Sequence, residues 1–163
     1  MTLLKKLLGS KLTSRRGDAP TDQVLDGKTT VGLYFTASTC RPCQLFTPVL
    51  ATVYRNMSLN MYKHLSMRED MEVVLVSMDK EEYAFRDMLL QTPFWALPFT
   101  RREAAKDLWK RYEVKKIPTL IFVNEHGEQI ERNGRHLVED HYMELTKIWE
   151  ELQQKRAMAE GMP

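Results

Sequence analysis

Cys40-Arg41-Pro42-Cys43 holds both cysteines of this 163-residue chain. A disulfide closing so short a loop constrains the unfolded chain very little, so its use would lie in opening and closing. In such chemistry a thiolate attacks a disulfide sulfur, a mixed disulfide forms, and a second thiol within reach resolves it. Cys40 would be the nucleophile and Cys43 the resolving thiol. Two other readings stand beside this one. A structural zinc site takes four ligands, and His136 and His141, spaced H-x4-H, would have to complete it. The pair could also be a vestige on a fold now used for something else. The cysteine spacing favours the redox site over both, with no metal expected.

The elements around the pair position it. Thr30-Val31-Gly32-Leu33-Tyr34-Phe35 predicts a buried strand, and Gln44 to Met57 a helix. The first thiol therefore meets a helix N-terminus, where unpaired N–H groups and the helix dipole favour a thiolate. Arg41 adds positive charge beside it. Pro42 removes a backbone donor that the first helical turn leaves unpaired anyway. A second site is Ile117-Pro118-Thr119, ahead of the strand Leu120-Ile121-Phe122-Val123. Proline belongs at a strand start or edge because it cannot donate to a ladder. Trans is the ordinary state of such a bond; a cis bond would turn the chain and offer backbone groups to a substrate.

Taken in order, these residues resemble the thioredoxin superfamily, and more narrowly its tryparedoxin and nucleoredoxin-like branch. Leu33-Tyr34-Phe35-Thr36-Ala37-Ser38 leads into the cysteines, and Phe46-Thr47-Pro48 follows them. Glu72 to Ser77 ends at Asp79, and Trp95-Ala96-Leu97-Pro98-Phe99 is the segment most particular to the branch. Tyr112-Glu113-Val114, Ile117-Pro118-Thr119-Leu120 and Glu125-His126-Gly127-Glu128 complete the series, from about Gly27 to about Val138. The resemblance implies a thioredoxin-like α/β fold, with a central mixed β-sheet flanked by helices. It further implies a kink at Pro48, a cis Pro118 facing Cys40, and disulfide reductase activity. Implied catalytic residues are Cys40, Cys43, Pro118 and Asp79, the last in proton handling; the alternative for Asp79 is a strand-end aspartate in solvent. Implied substrate-binding residues are Thr39, Arg41, Pro42, Ile117, Thr119 and Trp95. The chain departs from the usual pattern at three places. Thr39 stands where an aromatic residue usually precedes the first cysteine, Arg41-Pro42 replaces Pro-Pro, and Met78 replaces a tryptophan. Losing that aromatic removes a flat apolar docking surface beside the reactive sulfur.

Size and composition predict a single domain, 43% hydrophobic with 28% charged residues. A net charge of +2 gives no reason to expect nucleic acid binding. Two cysteines do not indicate a disulfide-stapled secreted protein, and no apolar run reaches the ~20 residues of a membrane span. Residues 1–26 read as a basic extension, 27–156 as the core and 157–163 as a frayed tail. Within 1–16, Lys5, Lys6, Lys11, Arg15 and Arg16 occur without an acid, and Leu3, Leu4, Leu7, Leu8 and Leu12 share one face at helical spacing. Such a segment either packs on the domain or serves as a mitochondrial address or membrane-surface helix.

Residues 17–29 predict a loop. Strands are expected over 30–36, 72–78, 119–123 and 128–132, the last two as an antiparallel hairpin. Helices are expected from Cys40 to Met57, with Leu45, Phe46, Val49, Leu50, Val53 and Tyr54 inward, and over 81–90 and 102–112. Residues 58–71, rich in methionine, predict a helix extension or an insertion. A last helix from Val138 to Arg156 carries Val138, Tyr142, Leu145, Trp149 and Leu152 as a stripe that covers a sheet or docks a partner.

The expected function is a cytoplasmic thiol-disulfide oxidoreductase reducing protein disulfides, without a cofactor. Its partners would be disulfide-containing proteins and a dithiol reductant, by resemblance trypanothione, glutathione or a thioredoxin system. One alternative is an interaction subunit of a larger, mitochondrial assembly. A weaker one is an oxidant, because stabilising a thiolate stabilises the reduced form.

Overall fold

Three strands organise the molecule because each is apolar on both faces. In the computed structural model, which describes residues 2–57 and 70–161, β3 (Thr30–Thr36), β4 (Met71–Ser77) and β6 (Thr119–Asn124) form the centre of one sheet. Alternate residues of a strand point to opposite faces. Val31, Leu33 and Phe35, Val74 and Val76, and Ile121 and Val123 join one core; Tyr34, Val73 and Leu75, and Leu120 and Phe122 join the other. Burial on both sides produces the unbroken apolar runs in the sequence.

Among the described residues the sheet has seven strands, in the order β2-β1-β5-β4-β3-β6-β7. β1 (Lys11–Ser14), β2 (Gly17–Pro20), β5 (Trp95–Ala96) and β7 (Gln129–Glu131) complete it. β3 runs parallel to β4 and antiparallel to β6, so the sheet is mixed. The register places Thr36 opposite Ser77, and Phe35 opposite Thr119. Helices α1 (Leu3–Leu8) and α5 (Arg102–Arg111) cover the first face, with the short α2 (Thr21–Val24) beside them. Helices α3 (Arg41–Asn56), α4 (Glu82–Leu90), α6 (Gly134–Asp140) and α7 (Leu145–Ala159) cover the second. No helix among the described residues is long and apolar enough to cross a membrane.

Several elements differ from the sequence expectation. The leucine periodicity of the N-terminal segment does not make one helix. Thr2 caps α1 and Gly9, at φ +86°, ends it. A Cβ on Gly9 would fall 1.7 Å from Nη1 of Arg101, whose guanidinium donates to the Leu8 carbonyl. Leu4, Leu8 and Leu12 are all buried, Leu12 from β1, while Leu3 is exposed. The segment thus packs on the body of the protein, and residues 11–20 form a hairpin at the sheet edge, where the leucine-periodic stretch was expected to reach residue 16 and a loop to begin at residue 17. Lys, Thr, Ser and Pro in those two short strands hide them from any period-2 pattern. Leu45 is exposed at 62%, not inward. The final helix is two helices, broken at residues 141–144. α7 extends to Ala159, so residues 157–159 are helical rather than frayed. Leu145, Ile148 and Leu152 bury its stripe against the second core. Residues 58–69 lie outside the described residues.

A helix packs tightly on the sheet at Gly134, where an added Cβ would sit 2.6 Å from the Leu120 carbonyl oxygen and 2.9 Å from Leu120 Cγ. Backbone oxygen cannot yield as a flexible side chain would. Gly134→Ala is therefore expected to lower stability by about 1–3 kcal/mol, seen as a lower denaturant midpoint at unchanged slope; an unchanged midpoint would refute this close packing.

Candidate active site

The sheet register brings two chain segments to one edge. β3 ends at Thr36, and the turn Ala37–Thr39 delivers Cys40 as the N-cap of α3. β6 begins at Thr119, opposite Phe35, so the residues just before it lie beside the same turn. The Ile117-Pro118 bond is cis. The Cys40 thiol faces the Ile117 carbonyl at 3.9 Å, and Cys40 Sγ accepts from the Cys43 backbone N–H at 3.3 Å. This is an N-cap contact made by sulfur. Pro42 occupies the first helical turn without forfeiting a hydrogen bond. Pro48 lies inside α3.

The two thiols are both free and differ in environment. Cys40 is half-buried beside the exposed Thr39, Arg41 and Pro42. Cys43 is 1% exposed, packed under the helix. Burial pushes its thiol up to about 11, and the neighbouring Cys40 adds to the effect; the Thr36 hydroxyl and the Ala37 backbone oppose it. Ile117 is half-buried against the first core, and the Thr119 hydroxyl donates to the Lys116 carbonyl at 2.6 Å.

Asp79 is 6% exposed, so it is not a solvent aspartate. Its Oδ1 accepts from the Ser38 N–H at 2.9 Å and the Ser38 hydroxyl at 2.8 Å; its Oδ2 accepts from the Ser77 hydroxyl at 2.8 Å. These bonds tie the cysteine turn to the end of β4, and Gln44 Nε2 donates to the Ser38 carbonyl at 2.8 Å from the other side. Among the described residues no hydrogen bond joins the carboxylate to Cys43. Arg102 closes the arrangement from α5: Nη1 donates to the Ser77 carbonyl at 2.7 Å, and the guanidinium lies 4.3 Å over the Phe99 ring. Burial holds Arg102 below its ordinary range, while the Asp79 charge pulls the other way. Ser38, Ser77 and Arg102 were not picked out from the sequence. Ser77 ends β4 and Ser38 lies in the turn just past the end of the adjacent β3, a signal visible only once the strands are known to be neighbours.

Trp95 does not join the others. It pairs with Val74, which is level with Leu33. That puts it roughly 10 Å back along the strands and roughly 10 Å across two of them from the end of β3. It packs against the first core and lines a separate recess with Arg15, Arg16, Tyr54 and Arg55. The branch-specific segment thus carries a packing residue here. His136 and His141 do not form a metal centre with the cysteines; His141 lies 3.4 Å from Glu144 and 3.8 Å from Glu151. Among the described residues no three His, Cys, Asp or Glu side chains converge as metal ligands would.

A sequence profile described as Thioredoxin-like matches residues 27–129, more than half of the chain. The chain belongs to the thioredoxin-like family. It is 42% identical over 123 residues to the tryparedoxin of Trypanosoma brucei brucei, covering 75% of this chain and 78% of that one. It is 39% identical over 104 residues to a probable nucleoredoxin 1 of Arabidopsis thaliana, covering 64% of this chain but only 17% of that much longer one. Among solved structures, a tryparedoxin II complexed with glutathionylspermidine superposes with a TM-score of 0.72 at 32% identity, covering 84% of this chain and 91% of that one. The family is one of thiol-disulfide oxidoreductases, and Cys40 and Cys43 carry its C-x-x-C spacing.

Cys43 in a Cys40→Ser protein gives a direct test of the burial. Its alkylation by iodoacetamide follows the thiolate fraction and is expected to keep rising above the ordinary 9.0, because burial, the largest cause of the shift, remains when the Cys40 contribution is removed. A plateau by pH 9 would contradict it. The sign for stability is the same: a raised thiol value favours the protonated folded state. That contribution is full below the ordinary value and is lost as pH climbs through about 11.

Proposed function

We propose that this chain is a protein-disulfide reductase of the tryparedoxin and nucleoredoxin kind. The observation that carries the reading is the placement of Cys40, with its sulfur between the Cys43 N–H and the Ile117 carbonyl at the cis Pro118 bond. Cys40 as thiolate attacks one sulfur of a substrate disulfide. That bond breaks, a mixed disulfide forms, and one substrate sulfur leaves and takes up a proton. Cys43 loses its proton and attacks Cys40 Sγ, and the second substrate sulfur leaves likewise. The substrate gains two electrons and two protons, and the chain retains a Cys40–Cys43 disulfide.

In this reading Pro118 and Thr119 present backbone to an extended substrate segment, with Ile117 supplying the apolar wall. Thr39, Arg41 and Pro42 form the docking rim around the sulfur. Asp79 acts through Ser38 and Ser77, holding the turn that carries Cys40. A dithiol of the trypanothione, glutathione or thioredoxin class would regenerate the reduced state. The glutathionylspermidine complex of tryparedoxin II favours a small peptide thiol among these.

Redox titration of the purified chain in dithiol buffers tests the reading. A reversible two-electron couple between about −270 mV and about −200 mV is expected for a reductase. A markedly more positive couple would instead indicate an oxidant. Cys40→Ser is expected to abolish disulfide reduction and Cys43→Ser to accumulate mixed disulfides with substrate. Full turnover in Cys40→Ser, or a failure of the two cysteines to pair, would overturn it.

A further inference from the structure

Two segments of the chain meet at the Cys40 sulfur, and both bring cations. Arg41 is exposed in the first turn of α3, directly after Cys40. Lys115 and Lys116 are exposed and directly precede Ile117, whose carbonyl oxygen lies 3.9 Å from Cys40 Sγ. Standard backbone lengths therefore hold the Lys116 Cα within roughly 10 Å of that sulfur. Residues 110–116 carry Lys110, Arg111, Lys115 and Lys116 against a single acid, Glu113. Lys110 and Arg111 lie in the last turn of α5, where cations favour the helix dipole. Lys115 and Lys116 lie beyond the helix. Among the described residues neither they nor Arg41 forms an ion pair.

The segment that carries the two lysines is held from both sides. Arg132 Nη1 donates to the Tyr112 carbonyl at 2.6 Å and Nη2 to the Glu113 carbonyl, which adds a further cation. The Glu113 N–H donates to the Lys110 carbonyl at 3.1 Å, and the Val114 N–H to the Trp109 carbonyl at 3.0 Å. These bonds keep Glu113 at φ +51°, a left-handed conformation that persists in a non-glycine residue only when its surroundings impose it. Past the lysines, the Thr119 hydroxyl donates to the Lys116 carbonyl at 2.6 Å. The backbone under both lysines is thus fixed beside the sulfur. The carboxylate of the site, Asp79, is buried and bonded to Ser38 and Ser77, so it offers this surface no exposed negative charge. Thr39 gives the surface no aromatic ring, so positive charge is its distinguishing feature.

We propose that Arg41, Lys115 and Lys116 form a cationic rim that selects protein disulfides flanked by acidic residues. This rests on the reductase reading and names the substrate class of that same site. An acidic residue beside the substrate cysteine meets the rim as its sulfur approaches Cys40, whereas a basic one is repelled. The covalent step is unchanged. The Cys40 thiolate bonds to the nearer substrate sulfur, and the substrate S–S bond breaks with its electron pair on the departing sulfur. Exposed charges act mainly on the rate of encounter, and salt screens them.

The test uses two synthetic peptides that differ only in carrying glutamate or lysine on both sides of one cysteine. Each is joined to the same aryl thiol as a mixed disulfide. Attack by Cys40 on the peptide sulfur releases the aryl thiolate, which absorbs light. Each rate is divided by that of mercaptoethanol with the same peptide at the same salt, so that intrinsic reactivity cancels. The reduced chain is expected to prefer the glutamate peptide roughly tenfold at low salt, the lower end of electrostatic steering. At about 1 M salt, where screening acts within about 3 Å, the preference is expected to fall towards one. Lys115→Glu combined with Lys116→Glu is expected to invert it at low salt. Equal normalised rates for the two peptides overturn the rim. A glutamate preference that survives high salt, or that survives the double reversal, overturns it as well. The salt series needs no variant, so it decides the matter if the double variant does not fold. A wild-type chain that releases aryl thiolate from neither peptide removes the reductase reading and the rim with it. Release from both at equal normalised rates removes the rim alone.

Discussion

The arrangement depends on β3 being buried on both faces and paired on both edges. A strand in that position can slip by one residue only by moving every side chain to the opposite core. Its register against β4 and β6 is therefore fixed, and with it the relation between the two chemical segments. Parallel pairing with β4 brings Thr36 level with Ser77, which sets Ser38 against Asp79. Antiparallel pairing with β6 brings Phe35 level with Thr119, which sets Cys40 against Ile117. Residues 77 positions apart in sequence meet because the core leaves them no other register.

Much of this was legible in the chain. The three central strands are apolar enough that their boundaries agree with the structure to within a residue or so, and the cysteine turn follows from the strand before and the helix after it. Other parts carry no such signal. β1 and β2 are short, polar and at the sheet edge, so what marks them is their pairing. Trp95 shows the limit of reading a motif residue by residue. Its segment marks the branch, but the two-residue β5 turns the ring into the body of the sheet, level with Leu33. Asp79 shows the converse. Its position was legible, but its three donors come from Ser38 and Ser77, residues with no chemistry to advertise in a sequence. The break at residues 141–144 was likewise hidden, because Val138, Tyr142 and Leu145 keep helical spacing across it.

The contrast between the two thiols has a structural origin separate from Arg41. Arg41 is exposed, so water screens its charge. What separates the sulfurs is one turn of helix: Cys40 caps α3 at the surface and Cys43 lies beneath the first turn. Cys40 is half-buried at the surface while Cys43 is 1% exposed, so in the proposed reaction Cys40 is the sulfur that attacks first. The burial that imposes this order also raises the Cys43 thiol, so order and proton demand have a single cause. Exposing Cys43 to ease its ionisation would let substrate reach either sulfur. A carboxylate in the same apolar space would itself be costly to bury as an ion. The chain instead keeps a buried acid at Asp79, where three donors and the Arg102 charge offset that cost, and where it holds the turn.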